Sequence, residues 1–310
     1  MSLTLCGAAA ATDFALDRTL RLDPGGKFSI DSDVGGIVLV GDAQSDARIH
    51  ITAARDLNER YDIRFAEDAG SPKLTIERKG GWLGRVFDGG WSGSRARIEV
   101  HVPRSTSVDL RTSGGEIDIS QLRGTAYLRT SGGGIDVLDV EGSVDASTSG
   151  GPVNIEQVRG EVVAESSGGG IFADGVDGSV RADTSGGGVE LVKVSGEIHA
   201  QSSGGGVRVR EAGGRVEASS SGGPVKVSFA AGNGQGGDLS SSGGGVHVEV
   251  DPQVSLSLDA SSSGGGVDCD LPVTVQGKIR RDALRGSLNG GGAALHLESS
   301  GGGVHIAAAR

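Results

Sequence analysis

The sequence predicts an all-β fold: a single-stranded parallel β-solenoid, or β-helix, wound from 18-residue coils. Three observations predict it. A Ser-Gly-Gly signature begins at Ser113, Ser131, Ser149, Ser167, Ser185, Ser203 and Ser221, each 18 residues after the last, then at Ser242 and Ser263 after steps of 21, and again at Ser300. Four residues after each serine stands Ile117, Ile135, Val153, Ile171, Val189, Val207, Val225, Val246, Val267 or Val304, a column made only of β-branched residues. Glycine triplets at this period, with no apolar spacing of three and four, exclude stacked helices. A unit this short cannot bury an apolar face alone, so it must stack on like units.

Within a coil the alternation has period two, which marks strands with one buried face. Two residues beyond the β-branched column stand Ile119, Val137, Ile155, Ala173, Leu191 and Val209, with Asp118, Asp136, Asn154, Glu190 and Arg208 among the residues between. A second strand follows the corner glycines Gly124, Gly142, Gly160, Gly178, Gly196 and Gly214. It carries Val144, Val162, Val180, Ile198 and Val216 inward, and Ala146, Ala164, Ala182, Ala200 and Ala218 two places on. Alanine there implies a thin, flattened core. Right-handed winding is the expected hand for parallel crossovers.

The rest of the chain is read against this unit. Residues 1–11 resemble the tail of a truncated signal peptide, with Leu3-Thr4-Leu5-Cys6-Gly7 leading into an alanine-rich cleavage pattern before Thr12. Export is therefore expected, to the periplasm, the cell surface or the medium, and residues 12–25 are a lead-in. Residues 26–110 are divergent N-terminal coils with one aromatic, glycine-rich loop; Val34–Val40, Arg48–Thr52 and Lys73–Glu77 alternate as strands. Residues 111–310 form the regular solenoid, with one irregular coil near 271–297 where the cationic stretch Lys278–Gly286 breaks the period. Residues 26–310 make one continuous domain.

Composition narrows the function classes. A net charge of -11 with dispersed arginines offers no basic stripe for a phosphate backbone, which argues against nucleic acid. Two cysteines, Cys6 and Cys269, provide neither a disulfide framework nor a zinc site, and no segment has the roughly 20 apolar residues of a membrane helix. No cofactor motif is present.

The Ser-Gly-Gly-Gly-Ile/Val-x-Val coils from Ser113 onward, the lead-in His101-Val102-Pro103 and the turn Gly286-Ser287-Leu288-Asn289-Gly290-Gly291-Gly292 resemble the bacterial putative-adhesin or toastrack family, over roughly residues 26–310. The resemblance implies a β-helix in a secreted or envelope-associated protein, with surface adhesion or envelope-stress sensing as the functions attached to some members. It supplies no catalytic residues, because the shared motifs are those of the scaffold.

Four features are weighed as sites. Gly132–Val137 resembles a calcium-binding roll, but the aspartate column drifts from Asp118 and Asp136 through Phe172 to Arg208 and Lys226, leaving Asp118 and Asp136 as weak candidates for a metal. The Thr-Ser pairs ahead of the glycines (Thr112-Ser113, Thr130-Ser131, Thr148-Ser149) resemble a hydroxyl face for ice or glycan, against which stands a role in satisfying backbone groups at the corners. Cys269 lies in the inward column and reads as a buried small hydrophobe. The segment Lys79–Trp91 gathers Trp82, Arg85, Phe87 and Trp91 among glycines, either as a contact for an envelope glycan, a lipid surface or a protein partner, or as a cover for an open solenoid end. The expected protein is thus a non-catalytic scaffold or binding protein. A carbohydrate-active β-helix enzyme, a polysaccharide lyase or hydrolase, is the alternative, and it would need a cleft with convergent acids.

Overall fold

The structure is a computed structural model that describes residues 14–68, 71–80, 96–275 and 280–309. It shows two sheets, of 14 and 15 strands, that enclose one hydrophobic core. Each regular coil contributes one strand to each sheet, as with Ile135–Glu141 in the first and Val144–Thr148 in the second. Like residues pair in register from coil to coil: Ile135 lies between Ile117 and Val153, and Ala146 between Leu128 and Ala164. Both expected inward columns are buried, except at Val267 in the edge strand, which is half-buried.

A third buried column follows them in the first sheet. Gln121, Asp139, Gln157, Gly175, Lys193 and Glu211 all have left-handed backbone, with φ between 53° and 70°. This bulge shifts the alternation by one, so that Leu122, Val140, Val158, Val176, Val194 and Ala212 turn inward. A non-glycine residue in this conformation costs about 1–2 kcal/mol. Burying the following valine or leucine contributes roughly 1.5–3 kcal/mol, enough to offset it.

The corners are held by hydroxyls, as one of the two sequence readings expects. Thr130 Oγ1 donates to the Gly115 carbonyl of the preceding coil at 2.7 Å and accepts from the Gly133 amide of its own coil at 3.3 Å. Thr148 and Ser202 repeat the pattern, and these hydroxyl residues are buried. A buried hydroxyl with both partners satisfied avoids a desolvation penalty and ties adjacent coils together. The middle glycine is required for close approach, since a Cβ on Gly133 would stand 2.1 Å from the Gly115 carbonyl oxygen.

The ends depart from a simple stack. The strand pair Ala293–Ser299 and Val304–Ala308, last in the chain, is inserted between the pair Gly237–Ser241 and Val246–Val250 and the pair Leu256–Ser262 and Val267–Cys269. The corner bonds follow the same order: Ser299 donates to Gly244 O at 2.8 Å and Ser262 to Gly302 O at 2.7 Å. At the other end Lys27–Ser32 and Gly36–Asp42 lie between the Ser113 coil on one side and Ser71–Arg78 with Arg97–Pro103 on the other.

Antiparallel strands finish both ends. Asp46–Ala53 and Phe14–Arg21 extend the first sheet, and Tyr61–Asp68 extends the second. Phe14, Leu16, Tyr61 and Phe65 pack half-buried on the core there, and Arg18 lies 5.7 Å from the Phe65 ring centroid. The stretch expected as an irregular coil, 271–297, contains Ala283–Leu288, which runs antiparallel to Leu256–Ser262, and the two-residue strand Thr274–Val275 outside it. Cys269 is half-buried rather than buried, because its three-residue strand is an edge of the first sheet; burial pushes its thiol pKa up, which disfavours the reactive thiolate.

Candidate functional site

Outward residues of a parallel stack form columns along the solenoid axis, so the chemistry of each face is set by what the columns hold. On the second sheet, charges are compensated locally. Lys27 pairs with Asp109 at 3.1 Å, Arg129 with Asp145 at 3.4 Å and Arg181 with Asp183 at 2.9 Å; Arg215 meets Asp238. The first sheet also pairs charges, Arg159 with Glu141 at 3.1 Å among them, but one of its outward columns is segregated. That column passes in register from Asp118 and Asp136 to Asn154, Phe172 and Glu190, then to Arg208, Lys226, His247 and His305. Acids gather at one end of this run, and beyond Glu190 the cations Arg208 and Lys226 stand together beside the two histidines, with Asp268 following His305.

At the acidic end, Glu116, Asp118 and Asp136 each offer a carboxylate oxygen, and these oxygens lie within 4.8 Å of one another. Repulsion from Asp118 first, then burial and the proximity of Asp136, push the Glu116 carboxyl above its usual range. Burial first, then repulsion from Asp136, do the same to Asp118, with Arg97 opposing. Asn154 donates to Asp136 Oδ1 at 2.7 Å. The two weak metal candidates are therefore brought together and joined by a third acid, but three monodentate oxygens supply only about half of a calcium shell.

A raised carboxyl pKa means that the folded chain holds its proton more readily than the unfolded one, so this group's contribution to stability falls as pH rises through the carboxylate range. Asp136→Asn removes the repulsion that Asp136 exerts on Glu116 and Asp118, leaves that between Glu116 and Asp118, and keeps the oxygen that accepts from Asn154. It should raise stability at neutral pH by on the order of a few tenths of a kcal/mol. Variant and wild type should converge as pH falls below about 4. Thermal melts across that range check this; a variant less stable at neutral pH would show that the trio does not repel.

In the middle of the column lies an open trough of about 490 Å³, lined by Pro152, Phe172, Glu190, Arg208, Pro224 and Lys226 among others. At the basic end the rings of His247 and His305 stack at 5.0 Å and 12°, each facing a carboxylate: Glu249 at 3.4 Å and Asp270 at 3.3 Å.

Trp82, Arg85, Phe87 and Trp91 lie outside the described residues. Lys79, at the start of their segment, is tied to the N-terminal end through the Asn58 carbonyl at 2.6 Å and Asp62 at 3.6 Å. The trough and the charge segregation were not foreseen from sequence, although the signal was present in the column that drifts away from aspartate.

A family model, Toastrack DUF4097, matches residues 27–270. The chain belongs to the toastrack family. No curated protein matches it. Among solved structures, this toastrack chain is similar to a putative adhesin from Bacteroides fragilis, at 12% identity over 95% of this chain and 98% of that one, TM-score 0.41. It is also similar to a protein from Parabacteroides distasonis described as a putative lipid binding protein, at 15% identity over 96% and 97%, TM-score 0.39. A third is a putative cell adhesion protein from Clostridium sporogenes, at 13% identity over 96% and 100%, TM-score 0.22. Among the described residues no helix is long and apolar enough to cross a membrane.

Proposed function

We propose that this toastrack protein is a non-catalytic scaffold of the cell envelope or the secreted fraction, adhesin-like or envelope-sensing, that engages its partner along the outer face of the first sheet. The observation that carries the reading is that Arg208 and Lys226 stand adjacent in register with no ion-pair partner among the described residues, while charges around them on both sheets pair with neighbours. Export rests on the alanine-rich run before Thr12. The segment holding Trp82, Arg85, Phe87 and Trp91 is a second candidate contact, for an envelope glycan, a lipid surface or a protein.

Against a polysaccharide-cleaving enzyme stands the shape of the coils. Only two residues, Gly124 and Thr125, join Ile117–Arg123 to Ala126–Thr130, and four, Ser131–Gly134, lead on to the next strand. Turns of that length build no cleft around the Glu116, Asp118 and Asp136 trio, which sits on a sheet face.

The test incubates the protein with isolated envelope fractions and with acidic and neutral polysaccharides, following both retention and chain cleavage. Retention without cleavage is expected, weakened by salt. Cleavage products would make the protein an enzyme, and absence of retention would remove the scaffold reading. Trp82→Ser with Trp91→Ser tests the second contact in the same assay.

A further inference from the structure

We propose that the trough on the first sheet binds an acidic polysaccharide, a chain of pyranose rings bearing carboxylates, laid along the solenoid axis across Phe172 and held by Arg208 and Lys226. The inference deepens the binding reading above and rests on it.

The floor of the trough is the column of residues just before each first-sheet strand. It is glycine at Gly170, Gly188 and Gly206, and proline at both ends, Pro152 and Pro224. The column admits residues other than glycine at some coils. Glu116 occupies the same column, and so do Pro152, in a coil that pairs in register throughout, and Pro224, in a coil that pairs in register up to Val227. A Cβ would lie 3.1 Å from the next coil's carbonyl oxygen at Gly170, 3.0 Å at Gly188 and 2.8 Å at Gly206, so a side chain requires the backbone to give by a few tenths of an ångström, most at Gly206. Three successive glycines leave a channel open between two proline stops. Four strand spacings of about 4.8 Å make it ~19 Å long, the span of a short oligosaccharide.

Its wall carries the recognition chemistry. Phe172 is half-buried and presents a ring against which the C–H face of a pyranose can stack. Glu190 is engaged by Arg210 at 2.5 Å, so it does not neutralise the wall. Arg208 and Lys226 are exposed, stand directly opposite each other on neighbouring strands, and have no hydrogen-bond or ion-pair partner among the described residues. Like charges in that position destabilise a sheet. Two cations one strand apart give the fold nothing in return, but they match a polymer that repeats one carboxylate per ring at a spacing of that order. A lipid surface fits less well, since it calls for several exposed apolar anchors and the trough has one ring.

The test measures binding of the full chain to polygalacturonate oligomers, to the fully methyl-esterified neutral chain and to anionic phospholipid vesicles. The acidic oligomers are expected to bind, and the neutral chain at least tenfold more weakly. Arg208→Ala and Lys226→Ala should each weaken binding roughly fivefold with a melting temperature no lower than that of wild type. Gly188→Pro, which recreates the Ser-Gly-Gly-Pro coil already present at Ser149 and Ser221, should abolish it. Equal affinity for the neutral chain, unchanged binding by the two alanine variants, or vesicle binding in place of glycan binding would each overturn the proposal. Retention of envelope fractions without polygalacturonate binding removes this inference alone; loss of both removes the scaffold reading as well.

Discussion

Val189→Asp is expected to abolish cooperative unfolding of the central coils. Val189 is 2% exposed and lies in register between Ile171 and Val207, so the new carboxylate would sit inside a core only two sheets thick, with no cation to meet it. Burying an unpaired carboxylate costs several kcal/mol or forces its protonation, and the lost valine packing adds to that. Because coils are held by their neighbours, the damage should spread to the Ser167 and Ser203 coils before it fades. Circular dichroism melts together with hydrogen exchange would register it. A variant that melts like wild type would mean that the inward register described here is wrong, and Glu190→Asp, on the outer face one residue away, supplies the control.

Deleting residues 292–309 is expected to cost more than removing an end coil. In a simple stack the last unit has one neighbour; here it has two, since Leu256–Ser262 and Gly237–Ser241 both pair with Ala293–Ser299. Leu295, Leu297, Val304 and Ile306 are all buried in it. At roughly 1.5–3 kcal/mol for each buried aliphatic side chain, the loss is on the order of 6–12 kcal/mol before any rearrangement. The segment from Leu256 to Leu288 should then lose its protection in hydrogen exchange, while strands between Ser107 and Ser220 keep theirs. Full protection of Leu256–Leu288 in the truncated chain would show that the inserted coil is not its support.

Much of this was legible in the sequence because a solenoid repeats its reasons. The β-branched column at Ile117 through Val304, the alanine column and the hydroxyls ahead of the glycines each recur often enough to reveal strand, core and corner. Three things were not. The left-handed column holds Gln121, Asp139, Gln157, Gly175, Lys193 and Glu211, and only Gly175 advertises its backbone; the others are held there by the buried residue that follows. The order of the end coils was hidden for the opposite reason. The Ser263 and Ser300 coils carry the same Ser-Gly-Gly-Gly-Val run, so either satisfies the Ser242 coil equally well at the level of residue types. The end covers came from ordinary strands, with Phe14, Leu16, Tyr61 and Phe65 giving no periodic signal.

Of the candidate site, Asp118 and Asp136 were found from sequence, and Glu116 was missed because it stands one place outside the strand alternation. Arg208 and Lys226 were noted only as residues that disqualify calcium. Their significance depends on knowing that Glu190, opposite Arg208, is taken up by Arg210, which no single strand can reveal.

The inserted terminal coils also set how such a protein can change length. Both ends are clasps in which one coil, 27–42 or 293–308, is locked between two others, so removing that coil breaks a clasp. Between Ser113 and Ser221 the units are interchangeable, each corner glycine facing another glycine and each hydroxyl the same carbonyl. Duplicating or losing one 18-residue unit there leaves both clasps intact and moves them apart or together by one strand spacing, about 4.8 Å. The molecule is in that sense a ruler graduated in coils, and a relative with a longer or shorter reach should differ from it by whole multiples of the repeat, taken from the middle.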